Sequence, residues 1–150
     1  MVADPDPTRV VVERILPASP AEVYVAWTTP ATLQRFMCPG RQTAPVVEAD
    51  VRVGGRFRIV MRDGDRDTEH TGEYRVLEPA RRLVFTWASH ATGFEPTLVT
   101  IELTPHEDGT RLVLIHEELE NDDVRRRHRG GWTSILEKLA AQLARGKERP

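Results

Sequence analysis

Residues 56–62 read Arg56-Phe57-Arg58-Ile59-Val60-Met61-Arg62, and the reading of this stretch decides the fold. Phe57, Ile59 and Met61 alternate with Arg56, Arg58 and Arg62, with Val60 as the one apolar residue on the charged side. A period of two with one greasy and one charged face is the mark of a strand in an antiparallel sheet, wet on one side and buried on the other. The same period extends outward in both directions from Thr43 to Glu117, broken by turn residues at Gly54-Gly55, Asp63-Gly64-Asp65, Pro79, Gly93 and Asp108-Gly109. These spacings predict an antiparallel meander. Counting by twos places His70, Gly72, Tyr74 and Val76 on the inner face of one strand and Leu83, Phe85 and Trp87 on that of the next. Val99, Ile101 and Leu103, then Leu112, Leu114 and His116, follow on later strands. A slip of one residue would reverse any of these assignments.

Before the meander, Thr8 to Leu16 is dense in β-branched residues and reads as a first strand, stopped by Pro17. Ser19-Pro20-Ala21-Glu22 combines an N-cap serine, a proline in the first helical turn and a glutamate three residues on, the reciprocal pattern of a capping box. A short helix through Trp27 follows. Thr29-Pro30 repeats the cap-plus-proline signal for a second short helix carrying Leu33, Phe36 and Met37, ended by Pro39-Gly40. After the meander, Asn121 is an N-cap with Asp122 and Asp123 in the first turn. His128, Trp132, Ile135, Leu136, Leu139 and Leu143 then recur on one side of a helix running to about Ala144. Twenty-odd residues at about 1.5 Å each span more than 30 Å, enough to lie across the sheet. The expectation is an α+β domain over residues 8–145, with residues 1–7 and 146–150 as flexible tails.

Composition narrows the function classes. The 150 residues include 21 basic and 23 acidic side chains, a net charge of −2, far from the basic balance of a nucleic-acid binder. There is no stretch of eighteen apolar residues, and the opening Met-Val-Ala-Asp-Pro-Asp-Pro is unlike a signal peptide, so a cytoplasmic protein without a membrane partner is expected. The single cysteine, Cys38, has no base beside it in sequence and reads as a half-buried thiol. The sequence holds no phosphate-binding glycine loop, dinucleotide fingerprint or nucleophile motif, and no cofactor is expected. His116-Glu117-Glu118 is a poor metal site, because neighbours on a strand point to opposite faces and only His116 and Glu118 could meet. Arg125-Arg126-Arg127 with Arg129 reads as a solvated charge run balanced by the acids before it.

What distinguishes the inner face is its mixture. Trp27, Phe57, Phe85, Trp87 and Trp132 share it with His70, Tyr74 and His116, and Phe36 is expected near a mouth. Aromatic walls with a few convergent polar groups are the usual lining of a small-molecule site. The expected lining is Trp27, Phe36, Phe57, Ile59, Met61, His70, Tyr74, Phe85, Trp87, Ile101, Leu114, His116, Trp132 and Leu136. Gly130-Gly131 inside the long helix costs roughly 1 kcal/mol per glycine relative to alanine and needs either a close backbone approach or space for a ligand to explain it. A histidine on an apolar face is as readily an ordinary hydrogen-bonded core group, and the alternation does not separate the two.

Several stretches together resemble a known family: Glu13-Arg14-Ile15 leading through Pro17-Ala18-Ser19-Pro20 to Val23 and Trp27, then Val53-Gly54-Gly55-Arg56-Phe57, Gly72-Glu73-Tyr74, Arg82-Leu83-Val84-Phe85-Thr86-Trp87, and Gly131-Trp132 with Ile135-Leu136 and Leu139. Over residues 8–144 the chain is similar to homologues of the C-terminal domain of the activator of heat-shock-protein-90 ATPase, within the START-like (Bet v-type) superfamily. The resemblance implies a helix-grip fold, in which a seven-stranded antiparallel sheet curves round a long C-terminal helix and leaves a cavity between them. Relatives in the superfamily bind lipids, sterols, hormones and polyketides, and a few catalyse cyclisation or dehydration. The family's namesake co-chaperone has a further N-terminal domain for which these 150 residues leave no room, so chaperone activation does not carry over directly. A binding module for a small apolar or amphipathic ligand is the leading expectation. A cyclase or dehydratase using His70 or His116 as base and Tyr74 as proton donor is the first alternative, and a co-chaperone-like interaction module is the second. A homodimer is compatible with all three.

Overall fold

The computed structural model describes residues 8–148. Strand β1 (Val10–Leu16) is followed by helices α1 (Pro20–Thr28) and α2 (Pro30–Phe36). Six strands come next: β2 (Thr43–Ala49), β3 (Arg56–Asp63), β4 (Arg66–Glu78), β5 (Arg82–Trp87), β6 (Thr97–His106) and β7 (Gly109–Glu117). Helix α3 (Asp122–Glu148) ends the chain. All strand pairs are antiparallel, in the order β1-β7-β6-β5-β4-β3-β2, so a hairpin meander runs from β2 to β7 and the first strand closes beside the last. The sheet curls into a half-barrel round α3, the helix-grip α+β arrangement.

Local chemistry sets the helix starts. Ser19 Oγ accepts from the Glu22 backbone N–H at 3.2 Å and Glu22 Oε1 accepts from the Ser19 N–H at 3.1 Å, closing the capping box. Thr29 departs from expectation: its hydroxyl donates back to the Val25 carbonyl at 2.7 Å, and α2 starts on its proline without a side-chain cap. Asn121 Oδ1 accepts from the N–H groups of Asp123 and Val124 and starts α3. The helix continues to Glu148, so residues 146–148, expected as tail, are helical. Arg145 and Gly146 continue the turn pattern without a breaker, because one glycine costs less than the ladder it would interrupt. The expected tail residues 1–7 and 149–150 lie outside the described residues.

The inner faces follow the alternation with one exception. Phe57, Ile59, Met61, Leu83, Phe85, Trp87, Val99, Ile101, Leu103, Leu112 and Leu114 join Trp132, Ile135, Leu136 and Leu139 of α3 in a single core. On β4 the register shifts between Tyr74 and Val76. Tyr74 faces Phe85, whereas Val76 faces Val84 and Leu77 faces Leu83. Arg75 is the extra residue of a bulge, which returns the strand to phase with Leu77 on the core side and moves Val76 outward. The inner-face assignment of Val76 is therefore corrected to Leu77, which packs on the core. Gly54-Gly55 forms the expected tight connection: Gly54 has φ +84°, and a Cβ on Gly55 would lie 2.0 Å from the Asp50 carbonyl oxygen.

Candidate functional site

The register places Tyr74, Phe85, Val99 and His116 in one cross-strand row from β4 to β7. His70 sits two pleat repeats from Tyr74 on β4, opposite Ile59. His70 and Tyr74, four residues apart on a strand, are about 13 Å apart along it, and Tyr74 and His116 are separated by two intervening strands. The structure thus brings the three polar candidates onto one face without bringing them together.

His116 is fully buried and both of its ring nitrogens are engaged. Thr97 Oγ1 lies 2.6 Å from the Trp87 carbonyl and 2.7 Å from His116 Nε2, and Trp132 Nε1 donates to His116 Nδ1 at 3.0 Å. An indole nitrogen only donates, so Nδ1 accepts. The Thr97 proton goes to the Trp87 carbonyl, so Nε2–H donates to Thr97. The imidazole is neutral, with its tautomer fixed by its neighbours. Burial, with the nearby His128 adding to it, pushes its pKa down to about 3. With no free lone pair it is neither an available base nor a metal ligand, and Glu118 lies beyond the end of β7 in a left-handed conformation.

The other inner-face groups are less satisfied. Among the described residues, three buried side-chain polar atoms lack a hydrogen-bond partner: Trp27 Nε1, Trp87 Nε1 and His70 Nδ1. His70 and Trp87 stack with ring centroids 4.9 Å apart, and Trp87 meets Trp132 at 5.0 Å. Burial lowers the His70 pKa to about 4, opposed by the polar backbone of Ile59 and Thr68. His128 donates Nδ1–H to the Val124 carbonyl at 2.8 Å, and its pKa is lowered first by burial. Burial raises the Tyr74 hydroxyl to about 12, with Tyr24 nearby adding to the effect.

These groups border two spaces. A slot of about 130 Å³ opens between the sheet and α3, lined by Pro39, Met61, His70, Trp87, Arg127, His128, Gly131, Trp132 and Ile135. A cleft of about 20 Å³ lies deeper, among Trp27, Leu33, Met37, Phe57, Ile59, Tyr74, Phe85 and Trp87. Trp87 is the wall common to both. The cavity that the resemblance implies is small here: both spaces fall well below the roughly 300 Å³ of an ordinary ligand pocket, because the aromatic side chains fill the concavity themselves. Of the expected lining, Met61, His70, Trp87 and Trp132 border the slot, and Trp27, Phe57, Ile59, Tyr74 and Phe85 border the cleft. Phe36, Ile101, Leu114, His116 and Leu136 border neither. Phe36 is packed edge-to-face on Trp27 at 5.1 Å, fully buried rather than at a mouth. Pro39, three residues on, reaches the opening instead.

Gly131 borders the slot, and a Cβ placed on it or on Gly130 would meet nothing within 4 Å. Tight helix packing therefore does not explain the glycine pair, and open space at the slot accounts for Gly131. His128 and Ile135 belong to the slot as well. Their place on the inner side of α3 was legible from the helical period, but only the crossing of α3 over β4 and β5 shows which turn meets the opening.

A larger concavity, about 780 Å³, is on the opposite face of the sheet, lined by Arg56, Arg58, Glu73, Thr86, Phe94 and Pro96 among others. Its charges are largely paired along the surface, as in Arg58 with Glu69 at 2.6 Å and Arg75 with Glu73 at 3.2 Å. The arginine run is likewise compensated within α3, Arg126 and Arg127 both meeting Asp123. Cys38 is buried, not half-buried. Its Sγ donates to the Gln42 carbonyl at 3.1 Å, and Lys138, a hundred residues away, lies 3.3 Å from the sulfur and donates to the Cys38 carbonyl at 2.7 Å.

No helix among the described residues is long and apolar enough to cross a membrane. Three solved structures are similar over nearly their whole length. A Chromobacterium violaceum protein is 27% identical with a TM-score of 0.84, covering 92% of this chain and 98% of that one. The AHSA1 protein of Silicibacter pomeroyi is 29% identical with a TM-score of 0.78, covering 91% and 97%. A Nitrosomonas europaea protein, 23% identical with a TM-score of 0.79 over 95% and 97%, shares the fold. No curated protein matches the chain. The model of the activator of Hsp90 ATPase homolog 1-like proteins matches residues 17–144, and with the helix-grip sheet around α3 this shows that the chain belongs to that family.

Proposed function

We propose that this protein is a binding module that takes a small, partly apolar molecule between the sheet and α3, at the slot beneath Gly131. The observation that carries the reading is the pair of buried, unpartnered polar atoms His70 Nδ1 and Trp87 Nε1 on residues of the slot wall. Folded proteins leave few such atoms, and each costs about 1–3 kcal/mol relative to a hydrogen-bonded state. A bound ligand with polar atoms of its own removes that cost. The fold family's use of the same region for ligands supports the reading without naming one. A ligand larger than the slot has to displace Trp87, which alone divides the slot from the cleft. Catalysis by a base and a proton donor gains no support, since His116 is engaged and His70 and Tyr74 are too far apart to serve one small substrate.

Native mass spectrometry of gently isolated protein tests the reading, with Gly131→Phe as the blocked control. The expected result is binding of a small aromatic probe from the set toluene, phenol, benzoate and benzylamine, or a co-purified compound, in the parent chain and its loss in the folded variant. Equal binding by both chains, or no binding of any of these by the parent, would overturn it.

A further inference from the structure

We infer that the slot selects a neutral hydroxyl group, alcohol or phenol, carried on an apolar body, in preference to a carboxylate or an amine. This rests on the slot being a ligand site and names what it takes.

The selection follows from which hydrogen-bonding roles remain open. Trp87 Nε1 is a donor with no partner, so it requires an acceptor on the ligand. His128 spends Nδ1–H on the Val124 carbonyl, a group that can only accept, so its neutral ring keeps a lone pair on Nε2 that can take a donor. His70 Nδ1, also without a partner, accommodates either role. Trp132 adds no donor, because its N–H is spent on His116 Nδ1. The residues of the slot wall therefore carry one unpartnered donor, one open acceptor and one group of either kind for a ligand that reaches them.

A hydroxyl supplies both complements from one oxygen: its lone pairs accept from Trp87 and its proton goes to a histidine nitrogen. A carboxylate only accepts, and it would face the His128 lone pair while losing its hydration. The single cationic side chain on the slot, Arg127, is already 3.1 Å from Asp123 and mostly exposed, which leaves little charge to offset that loss. An ammonium cannot accept from Trp87 and would be set beside Arg127. The apolar body follows from the walls, since Met61, Trp87, Trp132, Ile135 and Pro39 make up most of the lining.

Titration calorimetry at pH 7 with phenol, toluene, benzoate and benzylamine, the last two charged at that pH, separates these possibilities. Phenol is expected to bind at least tenfold more tightly than each of the other three, and Trp87→Phe to erase its advantage over toluene. His70→Leu serves as a second variant should Trp87→Phe fail to fold, and it is expected to reduce the phenol advantage. Equal binding of toluene and phenol would overturn the hydroxyl preference and leave the slot as an apolar site. Tighter binding of benzoate or benzylamine would overturn it in favour of a charged ligand. If none of the four binds, the ligand site itself fails along with the preference.

Discussion

Trp132 on α3 donates its indole N–H to His116 on β7 across 3.0 Å, joining the lid helix to the sheet by a hydrogen bond inside the core. Because Thr97 holds the other nitrogen at 2.7 Å, this one contact fixes the tautomer of His116 and removes it from any catalytic role. Replacing Trp132 with Phe keeps most of the apolar contact but leaves Nδ1 buried without a donor. The expected cost is about 1–3 kcal/mol, read as a lower urea midpoint at unchanged m-value.

Acid should destabilise the fold early. His70 and His116 are held at about 4 and about 3 by burial, against an ordinary 6.5, so the unfolded chain binds more protons than the folded one throughout that interval. Their stabilising effect is fully present above pH 6.5 and is lost as pH falls towards their folded values. Between pH 7 and pH 5 each should remove roughly 2 kcal/mol, and His128, lowered in the same direction, adds to the slope. Denaturant unfolding across this range checks it. Replacing His116 with Gln should flatten the pH profile even though it lowers stability at pH 7.

The two helix glycines should respond differently. Neither Gly130 nor Gly131 has a neighbour within 4 Å of an added Cβ, so alanine at either position should raise stability by about 1 kcal/mol through helix propensity alone. Only Gly131 borders the slot. Gly130→Ala should leave probe binding unchanged, whereas a bulky residue at 131 should abolish it without unfolding the chain, as thermal denaturation and calorimetry together would show.

Gly72 is constrained in the opposite way. A Cβ there would lie 2.0 Å from the Thr86 carbonyl oxygen and 2.2 Å from Phe57 Cζ, on the strand partners to either side. The Phe57 ring is buried over this glycine and cannot retreat. Gly72→Ala should cost about 1–3 kcal/mol or more by overpacking, measured by chemical denaturation.

The extent to which this architecture could be read from sequence follows the range of the interactions involved. The capping box at Ser19 and Glu22, the Asn121 cap and the alternation of Phe57, Ile59 and Met61 depend on near neighbours, and the structure keeps them. The bulge at Arg75 depends on how β4 meets β5, which the alternation of β4 alone does not contain, so Val76 and Leu77 exchange faces. Lys138 beside Cys38 is a contact a hundred residues long. The size of the space under α3 is a matter of packing: the aromatics were placed on the correct face, yet nothing in their spacing said that they would nearly fill it. The slot is legible in sequence through Gly130-Gly131 and the inner-face Met61, His70, Trp87 and Trp132, whereas the unpartnered state of the Trp87 and His70 atoms depends on packing across elements.

The most direct measurement follows the three indole N–H resonances in a ¹⁵N–¹H spectrum as phenol is titrated into the protein at pH 7. Trp87 Nε1–H has no partner and belongs to a residue of the slot wall, whereas Trp132 Nε1–H is held by His116. If the slot is the ligand site, the Trp87 resonance moves downfield and saturates as it gains an acceptor, while that of Trp132 changes far less. A Trp87 resonance that stays in place at saturating phenol would contradict a ligand site beneath Gly131.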